Sequence, residues 1–85
     1  MPKLELYYFP SCPFCYFVTN TINKLNLKVE LINIHQSEDS FNKLVSDTRR
    51  STVPCLYIDG TPMHESSDII NWLKQNQDAL EKLSE

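Results

Sequence analysis

Cys12 and Cys15 are separated only by Pro13 and Phe14. Two thiols at that spacing on the first turn of a helix can close a disulfide and reopen it, which is redox chemistry. The run Leu4 to Phe9 ahead of them is short, apolar and aromatic-rich, and it reads as a buried strand despite Glu5. Pro10 and Ser11 break it. Cys15, Val18, Ile22 and Leu25 then recur at steps of three and four, which is one face of a helix. Pro13 suits the first helical turn, where a missing N–H leaves nothing unsatisfied. Cys12 therefore falls at or beside the N-cap, where unpaired N–H groups and the positive dipole end stabilise a thiolate. Cys15 lies one turn on, toward the core. The spacing predicts an unequal pair, with Cys12 the exposed attacker and Cys15 the shielded resolver.

Other uses of these cysteines fit less well. A structural zinc site wants a second Cys-x-x-Cys or a spaced pair of histidines. The chain offers only Cys55, His35 and His64, scattered along its length, so no metal site is expected. Haem attachment needs His after the second cysteine, where Tyr16 stands. An odd total of three cysteines does not suit a secreted disulfide framework. Cys55 reads as a small buried hydrophobe at the start of a strand, with a third reactive thiol as the alternative. His35 and His64 read as surface or turn residues without an evident partner, and Trp72 as packing.

The elements around the pair follow from periodicity. Lys28 to Ile34 reads as a second strand, rich in β-branched residues. The gap of about 18 residues before it holds one helix, enough for a parallel crossover. Phe41, Leu44, Val45 and Thr48 mark a second helix capped near Ser37, with a polar loop from Asp47 to Thr52. Cys55 to Ile58 is a third strand, Asp59-Gly60 a hairpin turn, and Thr61-Pro62-Met63 a short return at a sheet edge. Ile69, Leu73, Leu80 and Leu83 mark a last helix starting near Ser66 and interrupted at Asn76. The order is βαβ-α-ββα, an α/β fold with a four-stranded mixed sheet flanked by helices, and residues 1–85 read as one domain.

Composition narrows the partners. A net charge of −3 argues against nucleic acid, which needs a basic face. No apolar run approaches the ~20 residues of a membrane helix, and the N-terminus lacks the apolar region of a signal peptide. A cytoplasmic location is the expectation.

Taken together, three segments resemble a glutaredoxin of the thioredoxin fold: Tyr8 to Cys15, Ser51-Thr52-Val53-Pro54, and Asp59-Gly60 through Glu65-Ser66-Ser67-Asp68. The run from Met63 to Ile69 is also similar to the glutathione-transferase N-terminal domain. The resemblance implies that Thr52-Val53-Pro54 is a cis-proline loop facing the redox pair. It implies that Val53 offers its backbone to extended glutathione by strand addition. It also implies that Glu65, Ser66, Ser67 and Asp68 hold the γ-glutamyl end. Independently, Ser66 and Ser67 at a helix N-terminus can bind a carboxylate through backbone N–H groups, or Ser66 and Asp68 can simply cap the helix. The chain departs from common glutaredoxins at three places: Phe9 replaces a basic residue, Phe14 replaces Tyr, and His64-Glu65 replaces Gly-Gly. Arg49 or Arg50 is the available substitute for the missing basic group at the glycyl carboxylate.

The implied activity is glutathione-dependent thiol–disulfide exchange on protein–glutathione mixed disulfides and small disulfides. Glutathione would be the co-substrate, with no tightly bound cofactor and a monomeric enzyme. Two alternatives stay open. One is a glutaredoxin holding a 2Fe–2S cluster between two subunits, which Pro13 disfavours. The other is a thioredoxin-like dithiol reductant that ignores glutathione.

Overall fold

A computed structural model describes residues 2–83. Strands β1 (Leu4–Tyr8), β2 (Glu30–Asn33), β3 (Cys55–Ile58) and β4 (Thr61–Met63) alternate with helices α1 (Pro13–Lys24), α2 (Glu38–Thr48) and α3 (Ser66–Asn76) in the order β1-α1-β2-α2-β3-β4-α3. The sheet runs β2-β1-β3-β4, with β1 parallel to β2 and antiparallel to β3, and β3 antiparallel to β4. This is the thioredoxin-like α/β arrangement expected from the sequence. Pro62 lies on β4, an edge strand, where its missing N–H costs no ladder bond. Asp59 and Gly60 both adopt positive φ, as a tight two-residue hairpin turn requires.

The strand period of two divides the core. Leu4, Leu6 and Leu56 join Val18, Ile22, Leu27, Ile69, Leu73 and Leu80 on the face covered by α1 and α3. Tyr7, Cys55 and Tyr57 point the other way and meet Ile34 and Leu44 beneath α2. Trp72 packs at the margin of the first cluster, as expected for a packing residue.

Three boundaries differ from the sequence reading by two residues or more, and β1 and β2 each end one residue early, at Tyr8 and Asn33. β2 starts at Glu30 and not Lys28, because the Lys28 N–H donates to the Glu81 carbonyl at 2.9 Å and so leaves the ladder. The loop after α2 starts at Arg49 and not Asp47. Asp47 stays helical through its pair with Lys43 at 2.9 Å and accepts the Tyr57 hydroxyl at 2.9 Å. The last helix stops at Asn76, short of Leu80 and Leu83. Asn76 folds its side chain back onto the Trp72 carbonyl at 2.8 Å, and a short 3₁₀ turn follows over Gln77–Ala79. Leu80 still reaches the core, from extended backbone, while Leu83 is exposed. The Leu83 N–H donates to the Asn26 carbonyl at 2.9 Å, so this tail pairs beside residues 26–28. Among the described residues no helix is long and apolar enough to cross a membrane.

Candidate active site

The end of β1 delivers the chain to Pro10 and Ser11, and α1 begins at Pro13, its N1 residue. Cys12 is the N-cap. Its backbone is extended, and its Sγ accepts the Cys15 amide N–H at 3.3 Å. A sulfur thus fills the role usually taken by a Ser, Thr or Asp oxygen. The Cys12 thiol also donates toward the Val53 carbonyl at 3.8 Å. One part of the sequence expectation is corrected here: Cys12 is not exposed. Only 6% of the residue is accessible, against 2% for Cys15. Folding the sulfur back over the first turn and seating it against the Val53 loop covers it.

The pair is nevertheless unequal. Burial pushes the Cys15 thiol up to about 12, reinforced by its hydrogen bond with Cys12 and opposed by a backbone hydrogen bond at Phe9. Cys15 therefore remains a thiol at neutral pH. Cys55 is fully buried, and burial pushes it up to about 11. That suits a core residue and not a third nucleophile.

The second wall is the loop after α2. Val53–Pro54 is a cis bond, the isomer that the resemblance implies, and His64–Glu65 is cis as well. Arg50 is held through its backbone, since its N–H donates to Thr48 Oγ1 at 3.1 Å, while the single Thr48 hydroxyl proton is shared between the Leu44 carbonyl at 2.8 Å and the Arg50 carbonyl at 3.0 Å. The hairpin register sets Leu56 opposite Met63, so residues just before β3 face residues just after β4. Two links cross there. Arg50 donates to the Glu65 carboxylate at 2.7 Å, and His64 Nε2 lies 2.9 Å from the Thr52 carbonyl. The Arg50 guanidinium, by its hydrogen bond and then its charge, holds the Glu65 carboxyl below the usual carboxylate range. Glu65 is the N-cap residue of α3 but makes no side-chain cap bond.

Between these walls lies a cleft of about 290 Å³ lined by Phe14, Val53, Pro54, Glu65, Ser66 and Ser67. Of the residues the sequence nominated, these six come together at one place. Cys12 joins them through Val53. Phe14, though 60% exposed, forms one side of the cleft. Pro13 is exposed at the start of α1. Thr52 and Asp68 do not line the cleft: Thr52 is tied to His64, and Asp68 is exposed in the first turn of α3. A hollow of about 360 Å³ between Lys3, Lys28, Glu30, Asp59 and Glu81 holds no thiol and lies at the opposite end of β1.

The histidines are corrected too. Neither is without a partner, because His64 meets Thr52 and His35 stacks on Phe9 at 4.6 Å and 14°. The sequence reading offered Arg49 or Arg50 for the glycyl carboxylate, whereas the structure pairs Arg50 with Glu65, and it assigned neither Arg50 nor His64 as a link across the loop. The signal that finds them is the hairpin: once Asp59-Gly60 is read as its turn, the segments flanking the two strands must face one another. Arg50 is thereby placed beside Glu65, the residue nominated for the γ-glutamyl end.

Residues 6–81 match the family described as glutathione S-transferase, N-terminal domain. The chain belongs to this family. Among solved structures, this glutathione S-transferase N-terminal domain is similar to glutathione transferase E6 from Drosophila melanogaster. The identity is 30%, covering 88% of this chain and 35% of that one, at a TM-score of 0.74. It also resembles a mutant of the thioredoxin-like protein BC3987, with 27% identity over 86% of this chain and 96% of that one, at a TM-score of 0.73. A wheat glutaredoxin shares the fold, with 23% identity over 89% of this chain and 74% of that one, at a TM-score of 0.70. The domain thus spans about a third of the length of the transferase it matches. No curated protein matches its sequence.

Proposed function

We propose that this domain is a glutathione-dependent thiol–disulfide oxidoreductase of the glutaredoxin type, with Cys12 as nucleophile and residues 1–85 acting as one domain. The observation that carries the proposal is the placement of the Cys12 sulfur. It caps α1 beside the Val53 carbonyl, next to a cleft that also presents Glu65 and the first residues of α3. Membership in a glutathione-linked family supports glutathione as the occupant of that cleft.

The chemistry follows from the geometry. A protein–glutathione mixed disulfide binds with its tripeptide along Val53, which supplies main-chain hydrogen bonds. The Cys12 thiolate attacks the glutathione sulfur. A Cys12–glutathione disulfide forms as the protein thiolate leaves and takes a proton from solvent. The thiolate of a second glutathione then attacks the bound glutathione sulfur. Glutathione disulfide departs and the Cys12 thiolate is restored. In sum, one mixed disulfide and one glutathione give one protein thiol and one glutathione disulfide. The Cys15 amide N–H, already 3.3 Å from Sγ, stabilises the thiolate at both of its appearances. Cys15 itself stays protonated and is not needed for either step.

In this reading the domain works in the cytoplasm on glutathionylated or disulfide-containing proteins, without a tightly bound cofactor. The test is steady-state turnover of a glutathionylated peptide by Cys15→Ser, with glutathione and its reductase supplied. Turnover within about twofold of the native protein is expected, because Cys12 and glutathione complete the cycle alone. Loss of turnover with the fold retained identifies a thioredoxin-like dithiol and rejects glutathione as partner.

A further inference from the structure

The cleft contains one acid, Glu65, and that acid is already engaged. Its carboxylate receives Arg50 at 2.7 Å, and both side chains are about half exposed. An exposed pair of this kind contributes little to fold stability. Its consequence lies in what a ligand meets. The Arg50 N–H donates to Thr48 Oγ1, and two residues on, the Thr52 carbonyl is held by His64. The guanidinium is thus tethered beside Glu65 by the chain. The tether holds the guanidinium at an effective concentration of about millimolar or more, so the ammonium group of a ligand anchored along Val53 must displace a partner already in place. Asp68, the other acid of the run, is exposed on α3 and does not line the cleft. Arg50 itself does not line the cleft, so a ligand carboxylate there is left to the first residues of α3, Ser66 and Ser67. The Glu65 carboxyl is held below its ordinary range by this same partner, so the pair stays charged through neutral pH.

We infer that Arg50 determines specificity at the γ-glutamyl end: by occupying Glu65 it makes the cleft read the carboxylate of the ligand's head and ignore its ammonium group. The inference deepens the proposed function and rests on it. The preferred ligands are tripeptide thiols whose head carries a terminal carboxylate, with or without the neighbouring amine.

The experiment uses the full chain, reduced and in excess, in single turnovers with a peptide carrying one of three mixed disulfides. The partners are glutathione, glutathione lacking the α-amino group of its γ-glutamyl residue, and glutathione lacking the α-carboxylate of that residue. Release of the peptide thiol is followed. In the native protein the analogue without the amine should react within about threefold of glutathione. The analogue without the carboxylate should fall about tenfold or more, the size expected for a lost charge-assisted hydrogen bond. Arg50→Gln frees Glu65 for the ammonium group, so the preference for glutathione over the amine-free analogue should rise about tenfold. Arg50→Lys keeps a cation beside Glu65 and should keep the native ratio. A native protein that already discriminates tenfold for the amine overturns the inference, as does an unchanged ratio in Arg50→Gln. Failure of the proposed function looks different: no peptide thiol is released from any of the three, or, for a dithiol that ignores glutathione, all three react alike, the carboxylate-free analogue included.

Discussion

Two helix N-termini border the same cleft, and they are finished in opposite ways. At α1 the N-cap is Cys12, whose sulfur takes a first-turn N–H. At α3 the N-cap residue is Glu65, whose carboxylate turns away to Arg50 and makes no cap bond. Both ends present the same physical resource, a set of unpaired donors at the positive end of a dipole. At α1 the resource is directed onto the Cys12 sulfur, the proposed nucleophile. At α3 it is left open toward the cleft, where Ser66 and Ser67 stand. The difference teaches that one local device serves chemistry or recognition according to which side chain occupies the cap.

Removing the sulfur breaks the comparison most severely. Cys12→Ser keeps a capping oxygen, so α1 should survive, with its far-ultraviolet circular dichroism unchanged. Turnover of a glutathionylated peptide should fall to the uncatalysed background. Activity that persists would move the nucleophile to another thiol.

At α3 the corresponding change removes a donor. Ser66 is the first helical residue, and Glu65 before it has extended backbone, so proline fits sterically at position 66. Ser66→Pro should raise the KM for glutathione about tenfold through loss of an N–H to a charged group, and leave kcat close to native. A fall in kcat at unchanged KM would place this helix end in the chemical step.

A third outcome concerns the buried thiols. Cys15 and Cys55 are held up to about 12 and about 11, chiefly by burial, whereas in the unfolded chain they titrate near about 8.5. Above that pH the unfolded state releases protons that the folded state retains. Stability should therefore be fully present below about pH 8.5 and decline as pH rises toward about 11. Urea unfolding followed across that window checks the sign, and a flat profile would mean these thiols are open to solvent.

The smallest effect belongs to a helix end outside the cleft. Ser37 caps α2 through the Ser40 N–H at 3.2 Å, and α2 contributes no residue to the cleft. Ser37→Ala should cost about 1 kcal/mol of stability in chemical denaturation and leave the kinetic constants unchanged. A kinetic effect there would show that capping alone perturbs the site at a distance.

Much of this was legible in the sequence because it is written in local periods. The steps from Cys15 to Ile22 fix the buried face of α1, Pro13 fixes its start, and Asp59-Gly60 fixes the hairpin. These depend on backbone preferences and on which side chains prefer the core, so neighbours along the chain suffice to reveal them. The end of the last helix was not legible. Leu80 satisfies a helical step and is buried, yet it reaches the core from extended backbone after Asn76 folds back on the Trp72 carbonyl. Periodicity registers burial and does not distinguish the backbone path that achieves it.

The sequence by itself determined the placement of Cys12 and Cys15 on the first turn of α1, the order of the elements and the segments that meet at the cleft. Only the tertiary structure decided how covered Cys12 is, because that depends on where the Val53 loop lands, some 40 positions along the chain. It also decided the pairing of Arg50 with Glu65 and of His64 with Thr52. Such links join residues far apart in the chain through polar tips whose direction no local period sets. They exist only once the β3–β4 hairpin has brought its two flanking segments face to face.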